Sequence, residues 1–327
     1  MPNRKDHIVG VDLGGTSMRA LVVDASYQIL GEDKRRTKVK DKPRKLIEEI
    51  ADLVEEAVDK AEEKWSAIRA VSIGAPGSVD PERGIVHHAP NLGWHEVRLG
   101  EKLKDILGVP VLVENDVNVG VVGEHALGAA QGAHDVVGIF VGTGIGGGII
   151  LKDELYDGFR GAAGELGHMI LQIDGPQCGC GRRGCAEALA SRTAMERDVR
   201  AAIKKGRRSV VLDIMKEREQ TRMTSRIIQL ALRRHDHVMK HVMKQAQHYL
   251  GILVSNVVNL LDPECVVIGG GIVDRLHDDF VKPIREVAYK HFLQQRDAQR
   301  VKILAGLLGD NAGGLGAVVL ARHRLGI

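Results

Sequence analysis

The stretch VGVDLGGTSMRALVV (Val9–Val23) reads as an apolar strand, a Gly/Thr turn and a second apolar strand, and VGIFVGTGIGGGIIL (Val137–Leu151) repeats that reading at an offset of 128 residues. Each is expected to form a β-hairpin whose turn is nearly free of side chains. A glycine turn costs backbone entropy, so two at one offset imply that something approaches the backbone closely, although either alone could be no more than a tight turn. Neither is a P-loop, because no Gly-Lys-Ser/Thr follows, and neither is a GxGxxG that opens a helix, because another strand follows. Backbone N–H groups in such turns form anion-binding concavities, to which Thr16 and Thr143 add hydroxyl donors. Two facing hairpins would grip a polyphosphate from two sides.

Around the hairpins, β-branched runs alternate with helical patterns. Strands are expected at Ile8–Leu13, Ala20–Val23, Ala70–Ile73 and Val109–Val113, with an amphipathic helix over Arg44–Lys64. A second series opens at Val136–Leu151 and is joined by Glu264–Ile268 and Val301–Ala305, with Ala312–His323 as a closing helix. This is α/β patterning. The stretch Ser191–Tyr249 between them reads as helices, and its Lys, Arg and Glu residues read as solvated faces rather than a polyanion groove.

A chain of 327 residues buries a large core and suggests about two domains. Its 46 basic and 43 acidic residues are spread along the sequence, so neither nucleic acid nor membrane is demanded as a partner. No apolar leader precedes Ile8 and no window of eighteen uninterrupted apolar residues follows, which gives the expectation of a cytoplasmic protein.

Three of the four cysteines lie in CGCGRRGCAE (Cys178–Glu187), ten residues after GELGH (Gly164–His168). A disulfide, a redox switch and a metal site all fit such a cluster, but structural disulfides are rare in a reducing cytosol, which favours metal. Cys265, before Val266-Val267-Ile268, reads as a buried core thiol. The run VPVLVENDVNVG (Val109–Gly120) reads as a buried strand ending at Glu114 and followed by a helix. Ligands of open α/β sheets gather beyond the carboxyl ends of strands, where Asn115 and Asp116 would sit; Asp116 could equally be a simple helix N-cap.

Taken in order, Asp12-Leu-Gly-Gly-Thr16 with Arg19, Gly74-Ala-Pro-Gly77, Ala89–Trp94 (APNLGW), Glu114-Asn-Asp-Val-Asn118, Gly142–Gly148, Glu165-Leu-Gly-His168, Cys178–Glu187 and Gly269-Gly-Gly271 resemble the ROK family of sugar kinases and repressors, over about Val9 to Leu320. ENDVN and APNLGW most resemble its bacterial ATP-dependent glucokinases. The resemblance implies a two-domain actin/hexokinase-like ATPase fold, a ribonuclease H-like motif repeated, with ATP and sugar in the cleft between domains. The first domain is expected over residues 1–120, closed by a C-terminal helix at about 312–327, and the second over 121–311, with the cysteine loop and the helical insertion.

The same resemblance assigns roles. Asp116 is the expected general base, taking the proton of the sugar 6-hydroxyl as that oxygen attacks the γ-phosphorus. Gly77, Asn91, Asn115, Glu165, His168 and Glu187 are expected sugar contacts alongside it. Asp12, Gly14, Gly15, Thr16 and Ser17, with Gly142, Thr143, Gly144, Gly146 and Gly147, are expected to hold the phosphates, Asp12 orienting hydrated magnesium. Gly269, Gly270, Gly271 and Gly314, with Gly313, would let adenosine lie against the backbone. His168, Cys178, Cys180 and Cys185 supply one nitrogen and three thiolates, a closed set suited to structural zinc. Glucose is the expected substrate; mannose, fructose, allose, N-acetylglucosamine and N-acetylmannosamine are the alternatives, and polyphosphate is an alternative donor. A homodimer or homotetramer is expected. The family's repressors, which sense sugar, carry a helix-turn-helix ahead of this region, for which a first strand at about residue 7 leaves no room.

Overall fold

The computed structural model describes residues 6–38 and 42–327. Strand β1 (His7–Leu13) is almost wholly buried, as a central strand covered on both faces must be. It pairs antiparallel with β2 (Ser17–Val23), which continues antiparallel into β3 (Ile29–Arg36). On its other side β1 pairs in parallel with β4 (Ile68–Ala75), and β4 in parallel with β8 (Val111–Asn115). Between these lie helix α1 (Pro43–Lys60), a small ribbon of β5 (Ser78–Asp80), β6 (Ile85–Ala89) and β7 (Trp94–Val97), and α2 (Leu99–Leu107). Helix α3 (Asp116–Leu127) leaves β8 without a loop.

The second series repeats this order. Strand β9 (Val136–Val141) pairs antiparallel with β10 (Ile145–Leu151), and a two-residue strand β11 (Glu154–Leu155) follows. Helices α4 (Ala186–Ala190), α5 (Arg192–Lys204), α6 (Val211–Glu217), α7 (Ser225–Arg233) and α8 (His237–Leu261) precede β12 (Cys265–Gly269), which pairs in parallel with β9. After α9 (Val273–Leu276) and α10 (Asp278–His291), β13 (Lys302–Ala305) pairs in parallel with β12, and α11 (Ala312–Leu325) ends the chain. The hairpin strands keep the sequence offset: Leu13 answers Val141, Ser17 answers Ile145 and Val23 answers Leu151. Strand β8 starts two residues later than its apolar run, because Pro110 has no N–H for the ladder and contributes only its carbonyl, to Val71 N–H at 2.9 Å. Among the described residues no helix is long and apolar enough to cross a membrane.

Two compact units result. One holds the described residues up to Gly132 with Glu154–Ala163 and Asn311–Ile327; the other holds Ala133–Asp153 and Gly164–Asp310. The boundary expected after residue 120 would cut α3, which runs unbroken to Leu127 and packs along α11. Each unit has its own apolar core: Val9, Val11, Ile50, Val54, Ile73 and Val113 in the first, Val137, Ile139, Ile227, Val254, Ile268 and Phe280 in the second. Cys265 is buried, as its apolar setting suggests.

Glycines bring α11 close to α3 and β1. A Cβ on Gly316 would stand 1.7 Å from Val119 O, one on Gly123 would stand 2.5 Å from Ala312 O, and one on Gly10 would stand 2.0 Å from Gly314 O. Gly316→Ala gains about 1 kcal/mol of helix propensity, yet forces two helix backbones apart. The expected outcome is a net loss of about 2 kcal/mol or more in urea unfolding, and an unchanged or raised midpoint would contradict this packing.

Candidate functional site

In the first unit, the parallel strands β1, β4 and β8 end together, and Asp12, Gly74 and Glu114 lie in register across them. The turn after β1 is closed by the Gly14 N–H, which donates to Ser17 O at 2.9 Å. Thr37 braces it from the side: its hydroxyl donates to Gly14 O at 2.6 Å and its N–H to Thr16 O at 3.0 Å. Thr16 itself is exposed and Ser17 is half-buried. Gly15 faces Asn91, whose Cβ would be 3.0 Å from a Cβ on Gly15, so the turn and this expected sugar contact are neighbours.

At the end of β8 the N-cap of α3 is Asn115, not Asp116. Its Oδ1 accepts the Val117 and Asn118 N–H groups at 2.9 and 3.1 Å, and its Nδ2 donates to Gly77 O at 3.0 Å. Gly77 has φ +90, and a Cβ there would strike His88 O at 2.1 Å, so only glycine turns its carbonyl toward Asn115. Because Asn115 does the capping, Asp116 is free for other work at the first helical position. The residue is half-buried, and desolvation pushes its carboxyl pKa up to about 6 against the opposing pull of the Val117 N–H, its own N–H and the Asn115 amide.

Glu114, the neighbouring carboxylate, is a structural brace. It is buried, its Oε1 accepts from Asn115 N–H at 2.9 Å and Asn118 Nδ2 at 3.1 Å, and its Oε2 pairs with Arg324 of α11 at 2.6 Å. Gly314 serves packing in the same unit, with a Cβ placed 2.7 Å from Leu21 Cδ1, whereas Gly313 faces the Asp12 carboxyl, 2.9 Å from its Cγ.

In the second unit the turn Gly142–Gly144 is closed by the Gly142 N–H, which donates to Gly144 O at 2.9 Å. A side chain at Gly142 would meet nothing within 4 Å, whereas a Cβ on Gly144 would lie 2.2 Å from Glu187 Oε2. That carboxylate oxygen accepts the Ile145 N–H at 3.1 Å, and its other oxygen lies 3.7 Å from Cys178 Sγ. Glu187 therefore ties the hairpin to the cysteine loop, and Gly144 leaves room for it. Gly146 pairs with Phe140 across the hairpin, and Gly147 abuts Leu166 and Gly164 O. Gly269 packs on the Phe140 ring, Gly270 (φ +95) on the Val141 backbone, and Gly271 lies near Ser225.

His168, Cys178, Cys180 and Cys185 present ligand atoms that all lie within 4.8 Å of one another. His168 Nδ1 is 3.7 Å from Cys178 Sγ, leaving Nε2 on the side of Glu165, whose carboxylate is exposed and 3.9 Å away. Cys180 and Cys185 sulfurs are 3.7 Å apart, far beyond the ~2.05 Å of a disulfide, and none of the four cysteines is in a disulfide. Burial pushes the Cys178 and Cys185 thiols up, while the Arg182 N–H draws Cys180 down, so three thiolates coexist only if a cation joins them.

A model of the ROK family matches residues 8–324. The glucokinase of Thermotoga maritima is 35% identical over 327 residues, all of both chains. The xylose repressor of Caldicellulosiruptor bescii is 31% identical over 314 residues, 96% of this chain and 77% of its own. Among solved structures, a ROK family glucokinase from Streptomyces griseus in complex with glucose and AMPPNP shares 33% identity at a TM-score of 0.85, covering 97% of this chain and 99% of that one.

Proposed function

The chain belongs to the ROK family, and from that premise we propose that it is an ATP-dependent hexose kinase, with glucose the preferred substrate and glucose 6-phosphate the product. The observation that carries the reading is Asp116: a half-buried carboxylate at the carboxyl end of the parallel strands, its pKa pushed up to about 6, at a helix start whose capping is done by its neighbour. Such a group is ionised near neutral pH yet basic enough to take a proton. The likeness to glucokinases over the whole chain, and to a structure holding glucose and an ATP analogue, supports the substrates.

In this reading the Asp116 carboxylate accepts the proton of the sugar 6-hydroxyl while that oxygen forms its bond to the γ-phosphorus. The bond from phosphorus to the bridging oxygen breaks, and ADP leaves with its electron pair. Asn91, Asn115, Glu165, His168 and Glu187 offer the mixture of donors and acceptors that sugar hydroxyls need, with Gly77 orienting Asn115. The turns at Gly14–Ser17 and Gly142–Gly144 offer backbone N–H groups to the phosphates, and Gly269–Gly271 leaves space for adenosine. Asp12 would hold magnesium through its hydration shell, and the ion supplies charge neutralisation of the phosphates.

His168, Cys178, Cys180 and Cys185 would hold zinc. Two thiolates on a tetrahedral ion with Zn–S bonds of ~2.3 Å stand ~3.8 Å apart, and the Cys180–Cys185 sulfur separation is 3.7 Å. Held by four protein ligands, the ion would stabilise the loop that carries Glu165, His168 and Glu187 and would have no open position for chemistry.

The repressor likeness supplies the competing reading, a sugar sensor without turnover. Asp116→Asn separates them. A kinase loses about a hundredfold or more of kcat while calorimetry still registers glucose. Wild-type protein that binds glucose but forms no ADP from magnesium-ATP would establish the sensor instead. For the metal, Cys180→Ser is expected to lose bound zinc in mass spectrometry and to weaken glucose by about tenfold or more, with nucleotide affinity nearly unchanged. A zinc-free variant with normal glucose affinity would leave the loop independent of the ion.

A further inference from the structure

The turn Gly142–Gly144 is held from outside the hairpin by the start of α5. Ser191 caps that helix, its Oγ accepting the Ala194 N–H at 3.1 Å. The next two residues grip the turn: the Arg192 N–H donates to Gly142 O at 3.0 Å, and the Thr193 hydroxyl donates to Thr143 O at 2.8 Å. The Arg192 guanidinium folds over the tip and donates from Nη2 to Thr143 Oγ1 at 2.5 Å.

This guanidinium lacks a counter-charge. Among the described residues no carboxylate forms an ion pair with Arg192. Glu196, whose charge acts on Arg192 through space, is already occupied: Arg200 pairs with its Oε1 at 2.8 Å, Arg222 with its Oε2 at 3.1 Å, and the Met223 N–H donates to Oε2 at 2.9 Å. Two guanidiniums thus share this carboxylate, and Arg192 is left without a direct ion pair. Arg192 is also half-buried, and burial, with repulsion from Arg222, disfavours its charge against the smaller opposing pull of Glu196. A desolvated cation with one of five N–H donors used is costly unless an anion completes it. Room for that anion exists, since nothing lies within 4 Å of the side-chain position of Gly142. The Thr143 hydroxyl, accepting from Arg192, keeps its own proton to donate onward.

We propose that Arg192 binds the phosphate chain of the nucleoside triphosphate, acting with the Thr143 hydroxyl and the backbone of the turn. The inference rests on the kinase reading and adds to it a charged phosphate ligand drawn from a stretch whose charges otherwise read as solvated helix faces. Planar guanidinium donors suit phosphate oxygens, and a partly desolvated setting strengthens the pairing.

The test is calorimetric titration of the full-length, metal-replete protein with magnesium-ADP, adenosine and glucose. Arg192→Gln is expected to weaken ADP by about tenfold or more, with adenosine and glucose unchanged, and Arg192→Lys to recover part of the loss. Unchanged ADP affinity in Arg192→Gln would overturn the proposal, as would equal losses for ADP and adenosine. A purely positioning role is tested in a Thr143→Val background, where direct contact predicts that Arg192→Gln still costs ADP about fivefold. If the second substitution costs nothing there, Arg192 acts only through Thr143 and the proposal fails. Wild-type protein that binds no ADP at all would instead remove the kinase reading, an outcome distinct from any behaviour of the variants.

Discussion

Burial of a carboxylate at a helix start is the constraint on which the first unit is organised. An ionised Asp116 loses hydration where it sits, and the structure offsets only part of that loss with backbone and amide hydrogen bonds. Holding it there requires a helix whose first turn is capped by another residue, and Asn115 fills that role while reaching the Gly77 carbonyl. The β8–α3 junction is in turn pinned by Glu114 to Arg324 of α11, and α11 approaches through glycines at 123 and 316. Packing, capping and ion pairing thus converge on one side chain. A site that stabilised the charged form fully would have a carboxylate too weakly basic for proton transfer.

The second unit uses the same hairpin differently. Its turn is contacted by both an anion and a cation, Glu187 at the Ile145 N–H and Arg192 at the Thr143 hydroxyl. Glu187 links the cysteine loop to the hairpin, because one of its oxygens lies beside Cys178 while the other receives the Ile145 N–H. A valine at Gly144 would therefore collide with Glu187 before it met any nucleotide, whereas Gly142 faces open space. Two glycines of one turn thus differ in their surroundings: Gly144 leaves room for a carboxylate of the same chain, whereas nothing of the chain crowds Gly142.

Much of the architecture was legible from periodicity, since both hairpins are set by local alternation and keep their offset to the residue, and the cysteine cluster lies within one short loop. What escaped the sequence is what depends on distant partners. Nothing near Glu114 announces that its carboxylate belongs to Arg324, two hundred and ten residues away. Arg192 was hidden in a stretch dense in Lys, Arg and Glu, where only the fold shows which cations Glu196 leaves unpaired. Gly314 and Gly269 carry the same letter as Gly142, but their missing side chains make way for Leu21 and Phe140. The first unit's extent also eluded pattern reading, because α3 joins it through contacts with α11 at the far end of the chain.

The account stands or falls on Asp116 acting as a base, and the pH dependence of kcat/KM for the hexose addresses this most directly. A base works only when deprotonated, so activity must be lost as pH falls, with the midpoint where burial has moved the carboxyl, at about 6, rather than near the ordinary aspartate value. The predicted profile is level from pH 7 to 8 and falls about tenfold per pH unit on the acid side of that midpoint. A profile that stays level down to about pH 4.5, under conditions where the protein remains folded and saturated with magnesium-ATP, would contradict the assignment of Asp116 and with it the chemistry built upon the first unit.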